Sequence, residues 1–264
     1  MKIAIIGAGN LGKSIAKGLI VKNAFTTLYL TKRNTEAIKS YEEYSKVTVT
    51  SDNQEAVKNS DILIFAVQPQ QLERILEEIK DLLTDKHVLI STITGFKIDR
   101  IEAIVGKDQF IIRAMPNTAI AVGKSMTCMC SNEKGEKRIA IAEAIFNRLG
   151  TSIIIKENKM QAATVICASG IAFWMRLIRA TTQGAVQLGF DAKDAQQLAM
   201  NTCLGAASLL VESGKHPEEE IDKVTTPKGC TIEGLNEMEH NGLSSSLIKG
   251  LQASFKKINN ISEQ

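Results

Sequence analysis

The sequence predicts an α/β protein, with a doubly wound, mostly parallel sheet in its N-terminal half and an all-helical domain in its C-terminal half. Three observations support this. Short apolar runs alternate with helical patterns through the first half, which is typical of a parallel sheet covered by helices. A glycine-rich turn joins the first run to the first helix. Beyond Lys156 the strand patterns stop and long helical patterns follow, so we expect domains at 1–156 and 157–264.

The first predicted strand, Ile3–Ile6, runs directly into a glycine motif. Glycines at the G-x-G-x-x-G spacing allow a tight turn, bring backbone close to a pyrophosphate and let helix and strand pack closely. The free N–H groups of the first helical turn then face the phosphates. The pattern predicts a Rossmann-type dinucleotide site, with an incidental glycine-rich turn as the alternative. Its predicted contacts are Gly7, Gly9, Asn10, Leu11 and Gly12.

Seven further strand candidates follow, separated by helical stretches such as Gln70–Leu83 and Glu133–Leu149. Gly150 fits a helix C-terminus just before the last of them. The seven candidates are Leu28–Thr31, Val47–Thr50, Ile62–Val67, His87–Thr92, Phe110–Met115, Met126–Cys130 and Ser152–Ile155.

The second half is predicted to be entirely helical. Asn158–Leu188 forms one long helix or a helix kinked at Gly170, and Asp191 N-caps a second helix that runs through Val211. These helices are rich in small residues and apolar over much of their circumference, so they must be buried. We therefore expect a homo-oligomer built through this domain, with a wholly intramolecular bundle as the alternative. Three shorter helices are predicted at Pro217–Asp222, Ile232–His240 and Leu243–Ile258.

Composition excludes several classes of function. The net charge of +3 is small and the basic residues are scattered, which argues against a nucleic-acid partner. We see no apolar run approaching the roughly 18 residues that span a bilayer, so we expect no membrane partner. The apolar N-terminal segment is interpreted as the first strand, not as a signal peptide, and we expect a cytoplasmic protein.

The five cysteines and three histidines do not suggest metal chemistry. The cysteine count is odd, which indicates reduced thiols. Cys128 and Cys130 alternate like strand residues and are interpreted as core packing. His87, His216 and His240 have no ligand-like spacing, so no metal site is predicted.

The loop after the second strand predicts which cofactor is preferred. An NAD-binding version of this fold places an Asp or Glu here for the ribose 2′-OH, but this chain has Lys32, Arg33 and Asn34. The two cations can neutralise a 2′-phosphate, and Thr31 and Asn34 can donate hydrogen bonds to it. We therefore predict a preference for NADPH, with NADH as a possible donor. A solvated charged loop is the alternative.

Three other segments are candidates for the site. Ala66, Val67, Gln68 and Pro69 end the fourth strand and should lie along the cofactor. The segment 112–119 leaves the sheet at the carboxyl edge, where ligands bind in open α/β sheets. Thr225–Thr231 exposes hydroxyl and N–H groups just before a helix, whose N-terminus attracts a carboxylate.

Five motifs resemble the pyrroline-5-carboxylate reductase family over essentially the whole chain. That family reduces a cyclic imine with NAD(P)H to make proline. The last of the five covers the family's signature region and is the most specific. The motifs are G-A-G-N-L-G at 7–12, A-V-Q-P at 66–69, R-A-M-P-N-T at 113–118, S-G-x-A-F at 169–173 and V-T-T-P-K-G-C-T-I-x-G-L at 224–235.

The resemblance implies a role for each segment. The substrate carboxylate would be held by the N–H groups of Gly229, Cys230 and Thr231, and Thr231 would be the catalytic residue beside the imine nitrogen. Asn53 would meet the adenosine side of the cofactor. The substrate-binding set is Val224, Thr225, Thr226, Gly229, Cys230 and Thr231. The nicotinamide would be lined by Ala66, Val67, Gln68, Met115, Pro116 and Asn117.

The resemblance also implies an intertwined homodimer through the helical domain, often assembled into a decamer, with the substrate between domains of two chains. The chain departs from the family pattern where Lys228 replaces a Gly and Cys230 a Thr in the substrate loop. Other departures are Gln68, Ala119, Ile171 and Phe173.

Two alternative functions remain at this point. A β-hydroxyacid dehydrogenase or related imine reductase would share the two-domain design, but the interdomain helix lacks the Lys that hydroxyacid dehydrogenases carry. A regulatory NADP(H)-binding paralogue is favoured only by the altered loop. No His, Asp or Glu acid is apparent in the proposed site, and imine reduction tolerates this because the substrate can arrive as its protonated iminium.

Overall fold

The computed structural model describes residues 1–262. It divides into two compact units. The first unit is Met1–Ser169 together with the described residues from Phe255 on, and the second is Gly170–Ser254. The predicted domain boundary after residue 156 stays a prediction.

The first unit is built on one eight-stranded sheet in the order β3-β2-β1-β4-β5-β6-β7-β8. All neighbouring strands are parallel except β6 and β7. The prediction of a mostly parallel, doubly wound sheet is therefore confirmed. The strands are β1 Lys2–Ile6, β2 Thr27–Thr31, β3 Val47–Thr50, β4 Ile62–Phe65, β5 Val88–Ser91, β6 Phe110–Met115, β7 Ser125–Ser131 and β8 Gly150–Ile154.

Helices cover both faces of this sheet. Its central strands are apolar on both sides, as expected for a parallel sheet packed between two helical layers, so a separate core lies on each face. The helices of this region are α1 Asn10–Val21, α2 Asn53–Lys58, α3 Pro69–Ile79, α4 Ile98–Val105, α5 Glu133–Glu136 and α6 Ile139–Phe146. Short 3₁₀ segments lie at Thr35–Glu43, Lys80–Leu82 and Thr118–Val122.

Two sequence-based expectations in this unit were wrong. The helix expected over Glu133–Leu149 is two short helices, because Arg138 leaves the helical conformation at φ −125° and ψ 2°. Gly150 does not end a helix but begins β8 at φ +150°, where a Cβ would lie 2.0 Å from the carbonyl oxygen of Ser125. Glycine is therefore required there by the close pairing of β8 with β7.

The long helix predicted from Asn158 is a nearly continuous helical stretch with an irregular middle. A 3₁₀ turn at Glu157–Lys159 leads into α7 Met160–Ala163, then a π-helical segment Thr164–Ser169, then α8 Gly170–Gln187. The irregularity thus ends where the kink was predicted, at Gly170. Glu157 fixes the start of the stretch, because its Oε1 accepts hydrogen bonds from the buried Arg113 Nη1 and from the amide of Ile98, both at 2.8 Å.

This stretch corrects the expectation about membrane spans. By length and composition alone, the 31 residues of Glu157–Gln187 are long and apolar enough to cross a bilayer. No charged side chain lies between Met160 and Met175. A helix that is buried in a protein interface has the same composition.

The second unit is helical, as predicted. α9 begins where expected, because Asp191 Oδ1 accepts from the amides of Lys193 at 2.8 Å and Asp194 at 3.0 Å. Gly214 ends it in the left-handed conformation. The remaining helices are α9 Ala192–Ser213, α10 Pro217–Val224, α11 Cys230–His240 and α12 Leu243–Ser262, the last of which continues into the first unit.

Candidate active site

Most of the predicted cofactor residues of the first unit meet at the carboxyl ends of β1, β2 and β4. The chain leaves β1 towards β2 on one side, while β4 lies on the other side, so a crevice opens where the strand order reverses. A cavity of about 340 Å³ occupies this position, and we call it the strand-end cavity. It is lined by Gly7, Ala8, Gly9, Thr31, Lys32, Arg33, Asn34, Ser51, Asn53, Ala66, Val67, Gln68, Gln71, Arg74 and Ile75.

The three glycines of the motif have distinct roles. Gly7 has φ +98°, and a Cβ there would lie 2.3 Å from Cγ1 of Val67. A Cβ on Gly12 would lie 2.3 Å from the carbonyl oxygen of Gly7. A Cβ on Gly9 would meet no protein atom within 4 Å, so it would project into open space. Gly7 and Gly12 are therefore needed by the fold, whereas Gly9 keeps the cavity clear.

The first turn of α1 provides unused hydrogen-bond donors beside the cavity. Gly9 caps the helix without a side-chain hydrogen bond, and no acidic residue lies in the first turn. The first intrahelical bond runs from the amide of Lys13 to the carbonyl of Gly9, at 2.9 Å. The amides of Asn10, Leu11 and Gly12 come before that bond and remain available to an anion.

Thr31 does not have the role that its position suggested. Its side chain is buried at 2% exposure. The hydroxyl accepts from the amide of Gly7 at 3.2 Å and donates to Oδ1 of Asn53 at 2.9 Å. Thr31 therefore ties the glycine turn to Asn53, and the prediction that it would reach a 2′-phosphate was wrong.

Three cations line the strand-end cavity. Lys32 and Arg33 come from the loop after β2, as predicted, and Arg74 comes from α3. None of the ion pairs found within residues 1–262 involves any of them. Their charge is therefore available to an anionic ligand.

Gln71 and Arg74 were not predicted from the sequence. They lie on α3, which begins immediately after the predicted residues Ala66–Gln68. Positions 68, 71 and 74–75 have helical spacing and therefore face one side. This helical spacing is the feature of the sequence from which Gln71 and Arg74 could have been predicted.

The other predicted cofactor residues do not line the strand-end cavity. Pro69 opens α3, and Met115 and Pro116 are buried at the end of β6. Asn117 uses its side chain inside the protein: Nδ2 donates to the carbonyl oxygen of Cys167 and Oδ1 accepts from the amide of Ala119, both at 2.9 Å. Asn117 thus connects the exit of β6 to the π-helical segment.

The substrate loop, Val224–Thr231, lies in the second unit and runs from the last residue of α10 to the first turn of α11. Thr226-Pro227-Lys228-Gly229 is a tight turn closed by a 2.9 Å hydrogen bond from the amide of Gly229 to the carbonyl of Thr226. Lys228 is exposed and has φ +61°. A proline followed by a positive φ is the type II pattern, which favours Gly at the third position.

This turn changes the expected set of amide donors. The Gly229 amide was predicted to face the substrate, but it is used within the turn. Gly229 caps α11 without a side-chain hydrogen bond, so the amides of Cys230 and Thr231 remain at an open helix N-terminus. The Thr225 hydroxyl donates to the carbonyl of Asp222 at 3.1 Å.

Two family profiles match the chain. The profile described as pyrroline-5-carboxylate reductase dimerisation matches residues 157–261. The profile described as NADP oxidoreductase, coenzyme F420-dependent, matches residues 2–95. This range includes the glycine turn and all the residues that line the strand-end cavity.

Curated relatives are similar over nearly the whole chain. Pyrroline-5-carboxylate reductase 1 of Dictyostelium discoideum is 45% identical over 97% of this chain, which spans only 49% of that relative's length. Pyrroline-5-carboxylate reductase 2 of the same organism is 41% identical, and the match covers 98% of this chain and 96% of that relative's length. The crystal structure of Plasmodium falciparum pyrroline carboxylate reductase with NADP bound is 26% identical, with a TM-score of 0.86 over 99% of this chain and 98% of that one.

Proposed function

The chain belongs to the pyrroline-5-carboxylate reductase family, and from that membership we propose that it reduces the C=N bond of 1-pyrroline-5-carboxylate to give L-proline, the last step of proline biosynthesis. It is an NAD(P)H-dependent oxidoreductase. The observation that carries the proposal is the strand-end cavity, which combines a glycine turn, an open helix N-terminus and three cations.

The residues of the first unit fit NADPH, which supplies the hydride. Gly9 leaves space for the pyrophosphate, and the amides of Asn10, Leu11 and Gly12 bind its oxygens. Lys32 and Arg33 neutralise the 2′-phosphate, which NADH lacks, and Asn34 donates to it. Asn53 meets the adenosine. NADPH is therefore preferred over NADH.

Further residues hold the nicotinamide in place. Ala66, Val67 and Gln68 follow β4 along the strand-end cavity, and Pro69 opens α3 after them. Met115, Pro116 and Asn117 lie at the end of β6. A fixed ring is what hydride transfer mainly requires, because most of the rate comes from positioning the reacting atoms. Asn117 contributes by holding its own loop in place through its two side-chain hydrogen bonds.

The second unit binds the substrate. The amides of Cys230 and Thr231, at the start of α11, hold the carboxylate. Val224, Thr225, Thr226 and Gly229 shape the loop around it. The Thr231 hydroxyl orients the imine nitrogen, which is already protonated in the iminium form, so no carboxylic acid is required.

The helical region is the family's dimerisation domain, and we assign a homodimer to it. Dimers joined into a decamer are the larger assembly that we propose. We place the enzyme in the cytoplasm, without a nucleic-acid or membrane partner.

The test is the loss of NADPH absorbance when pyrroline-5-carboxylate is added to the purified full-length protein, repeated with NADH. We expect rapid substrate-dependent oxidation that is faster with NADPH. Binding of L-proline and of NADPH is measured in parallel by titration. Tight NADPH binding without turnover or proline binding would overturn the reductase proposal and favour a regulatory paralogue, for which the altered loop at Lys228 and Cys230 is the supporting observation.

A further inference from the structure

Two thiols that the proposed reaction does not use lie side by side in the first unit. Cys128 is on β7 and Cys167 is in the π-helical segment, 39 residues away in sequence, yet their Sγ atoms are 3.7 Å apart. Cys128 is buried at 1% exposure, whereas Cys167 is only half-buried. One thiol of the pair is therefore reachable by a small reagent and the other is shielded behind it.

The environments of the cysteines differ in a way that makes Cys167 the reactive one. The Cys128 thiol stabilises the Cys167 thiolate by a hydrogen bond, which lowers the pKa of Cys167 and raises that of Cys128. Cys130, on the same strand and face as Cys128, is bonded to no other thiol within residues 1–262, and burial raises its pKa to about 11. A thiolate is the nucleophilic form, so Cys167 attacks first.

We propose that Cys128 and Cys167 are a site of reversible oxidative modification, at which a hydroperoxide converts the two thiols into an intramolecular disulfide. The Cys167 thiolate attacks one peroxide oxygen; an S–O bond forms, the O–O bond breaks, and the departing hydroxide takes up a proton as water. The Cys128 sulfur then loses its proton and attacks the Cys167 sulfur, and the S–O bond breaks to release a second water. Two thiols and hydrogen peroxide thus give one disulfide and two waters.

The cross-link has a mechanical consequence near the proposed nicotinamide residues. A disulfide brings its sulfurs to about 2.05 Å, so the pair must close by well over an ångström from 3.7 Å. Arg113 and Ile98 hold the start of the helical stretch at Glu157, which leaves the π-helical segment to move. That segment carries the carbonyl to which Asn117 is bonded, and Cys128 pairs in register with Met115.

We therefore expect oxidation to slow the reductase, a consequence that rests on the proposed function. Displacing Asn117 and Met115 changes the support of the nicotinamide, and small misplacements of reacting groups have large effects on rate. The expected loss of turnover is on the order of tenfold, and a dithiol reductant should restore it.

The experiment treats the full-length protein with hydrogen peroxide and maps its peptides by mass spectrometry without reduction. We expect a cross-linked peptide pair containing residues 128 and 167, with the mass loss of two hydrogens, that disappears on reduction. Cys128→Ala and Cys167→Ala should each abolish the cross-link. Cys130→Ala is the matched control, since it removes a buried thiol from the same strand face and should leave the cross-link intact.

Turnover is measured before and after oxidation in the unaltered protein and in Cys167→Ala, which keeps Cys230, so that any loss caused by oxidation in the substrate loop is seen in both. The mass readout needs no turnover, so a failure of the reductase proposal would still leave the disulfide testable. Oxidation of Cys167 to sulfinic or sulfonic acid without cross-linking, or no reaction there, would overturn the modification site. A complete cross-link with unchanged turnover would overturn its link to the nicotinamide residues.

Discussion

The two units of this chain bury their apolar side chains in opposite ways. The sheet of the first unit is packed on both faces, and its largest core side chains, such as Phe65 and Phe146, are essentially inaccessible. In Gly170–Ser254, all of which the structure describes, the only buried residues are Gly170, Thr182, Ala195 and Ala199. The first unit completes its own core, whereas the second has almost none.

The apolar side chains of the second unit are instead at its surface. Leu188 and Val211 are each 83% exposed, and Leu204 is 62% exposed. Large exposed apolar surfaces on soluble proteins mark interaction sites. The dimerisation profile covers this region, which supports oligomerisation through these apolar helices. The first unit completes its own core, and the second exposes the apolar surface through which the chain oligomerises.

The largest expected effect comes from breaking the surface of the second unit. Leu204→Glu places a charge in the middle of α9, where its burial against another chain is unfavourable. We expect the oligomer to dissociate and turnover to be lost, as measured by light scattering after size exclusion and by the NADPH assay.

The matched control for Leu204→Glu is in the first unit. Val122 is 73% exposed there, and Val122→Glu should leave the assembly unchanged. Dissociation by both variants, or by neither, would contradict the assignment of the oligomer interface to the second unit.

Gly9→Val tests the first unit alone. A side chain here meets no protein atom within 4 Å, and the backbone at φ −77° and ψ −159° is extended and accessible to valine. The side chain therefore occupies cofactor space without disturbing the fold. We expect the Kd for NADPH to rise about 100-fold, a loss of about 2.7 kcal/mol, with an unchanged unfolding midpoint and an intact oligomer. Unchanged affinity would place the pyrophosphate elsewhere.

Lys32→Ala/Arg33→Asp sharpens the choice of cofactor. Removing charge-assisted bonds to the 2′-phosphate costs about 2 kcal/mol, so we expect the Kd for NADPH to rise about 30-fold while that for NADH changes little. Titrations with both cofactors measure this. Arg148→Ala removes an exposed arginine outside the strand-end cavity and is the control. A preference for NADPH that survives the double change would show that these residues do not select the phosphate.

The difference between the units also explains what the sequence could predict. Strand alternation and the glycine spacing are local patterns, so all eight strands of the sheet were predicted to within two residues at either end. The roles of Thr31 and Asn117 depend on partners 22 and 50 residues away, and a local pattern does not contain them. The pairing of Cys128 with Cys167 was missed for the same reason. The apolar circumference of the second unit's helices did indicate a partner chain, because that property is also local.

Thr231→Ala separates the chemistry of the second unit from the cofactor site of the first. The hydroxyl is proposed to orient the imine nitrogen, so its loss should lower turnover about tenfold, a modest share of what a general acid contributes. NADPH affinity should not change. Thr231→Ser retains the hydroxyl and should retain most of the turnover. An equal loss of turnover and of NADPH affinity would instead indicate a structural role for Thr231.

The smallest expected effect concerns backbone strain, and it also differs between the units. Lys228 adopts φ +61° in the substrate loop, and Asn23 adopts φ +46° in the first unit. The left-handed conformation costs most L-residues about 1–2 kcal/mol, but asparagine tolerates it. A change to glycine removes this cost, but it also raises the conformational entropy of the unfolded chain, which offsets part of the stabilisation. Lys228→Gly should therefore stabilise the protein by about 1 kcal/mol, and Asn23→Gly by less.

Denaturant unfolding at a fixed protomer concentration measures both changes, because the stability of an oligomer depends on concentration. A larger gain from Asn23→Gly, or a loss from Lys228→Gly, would mean that the Lys228 side chain makes a stabilising contact in the assembled protein that offsets its strain. A neighbouring chain would then hold the Lys228 side chain in place. The substrate loop of the second unit, and not only its apolar helices, would contact another copy.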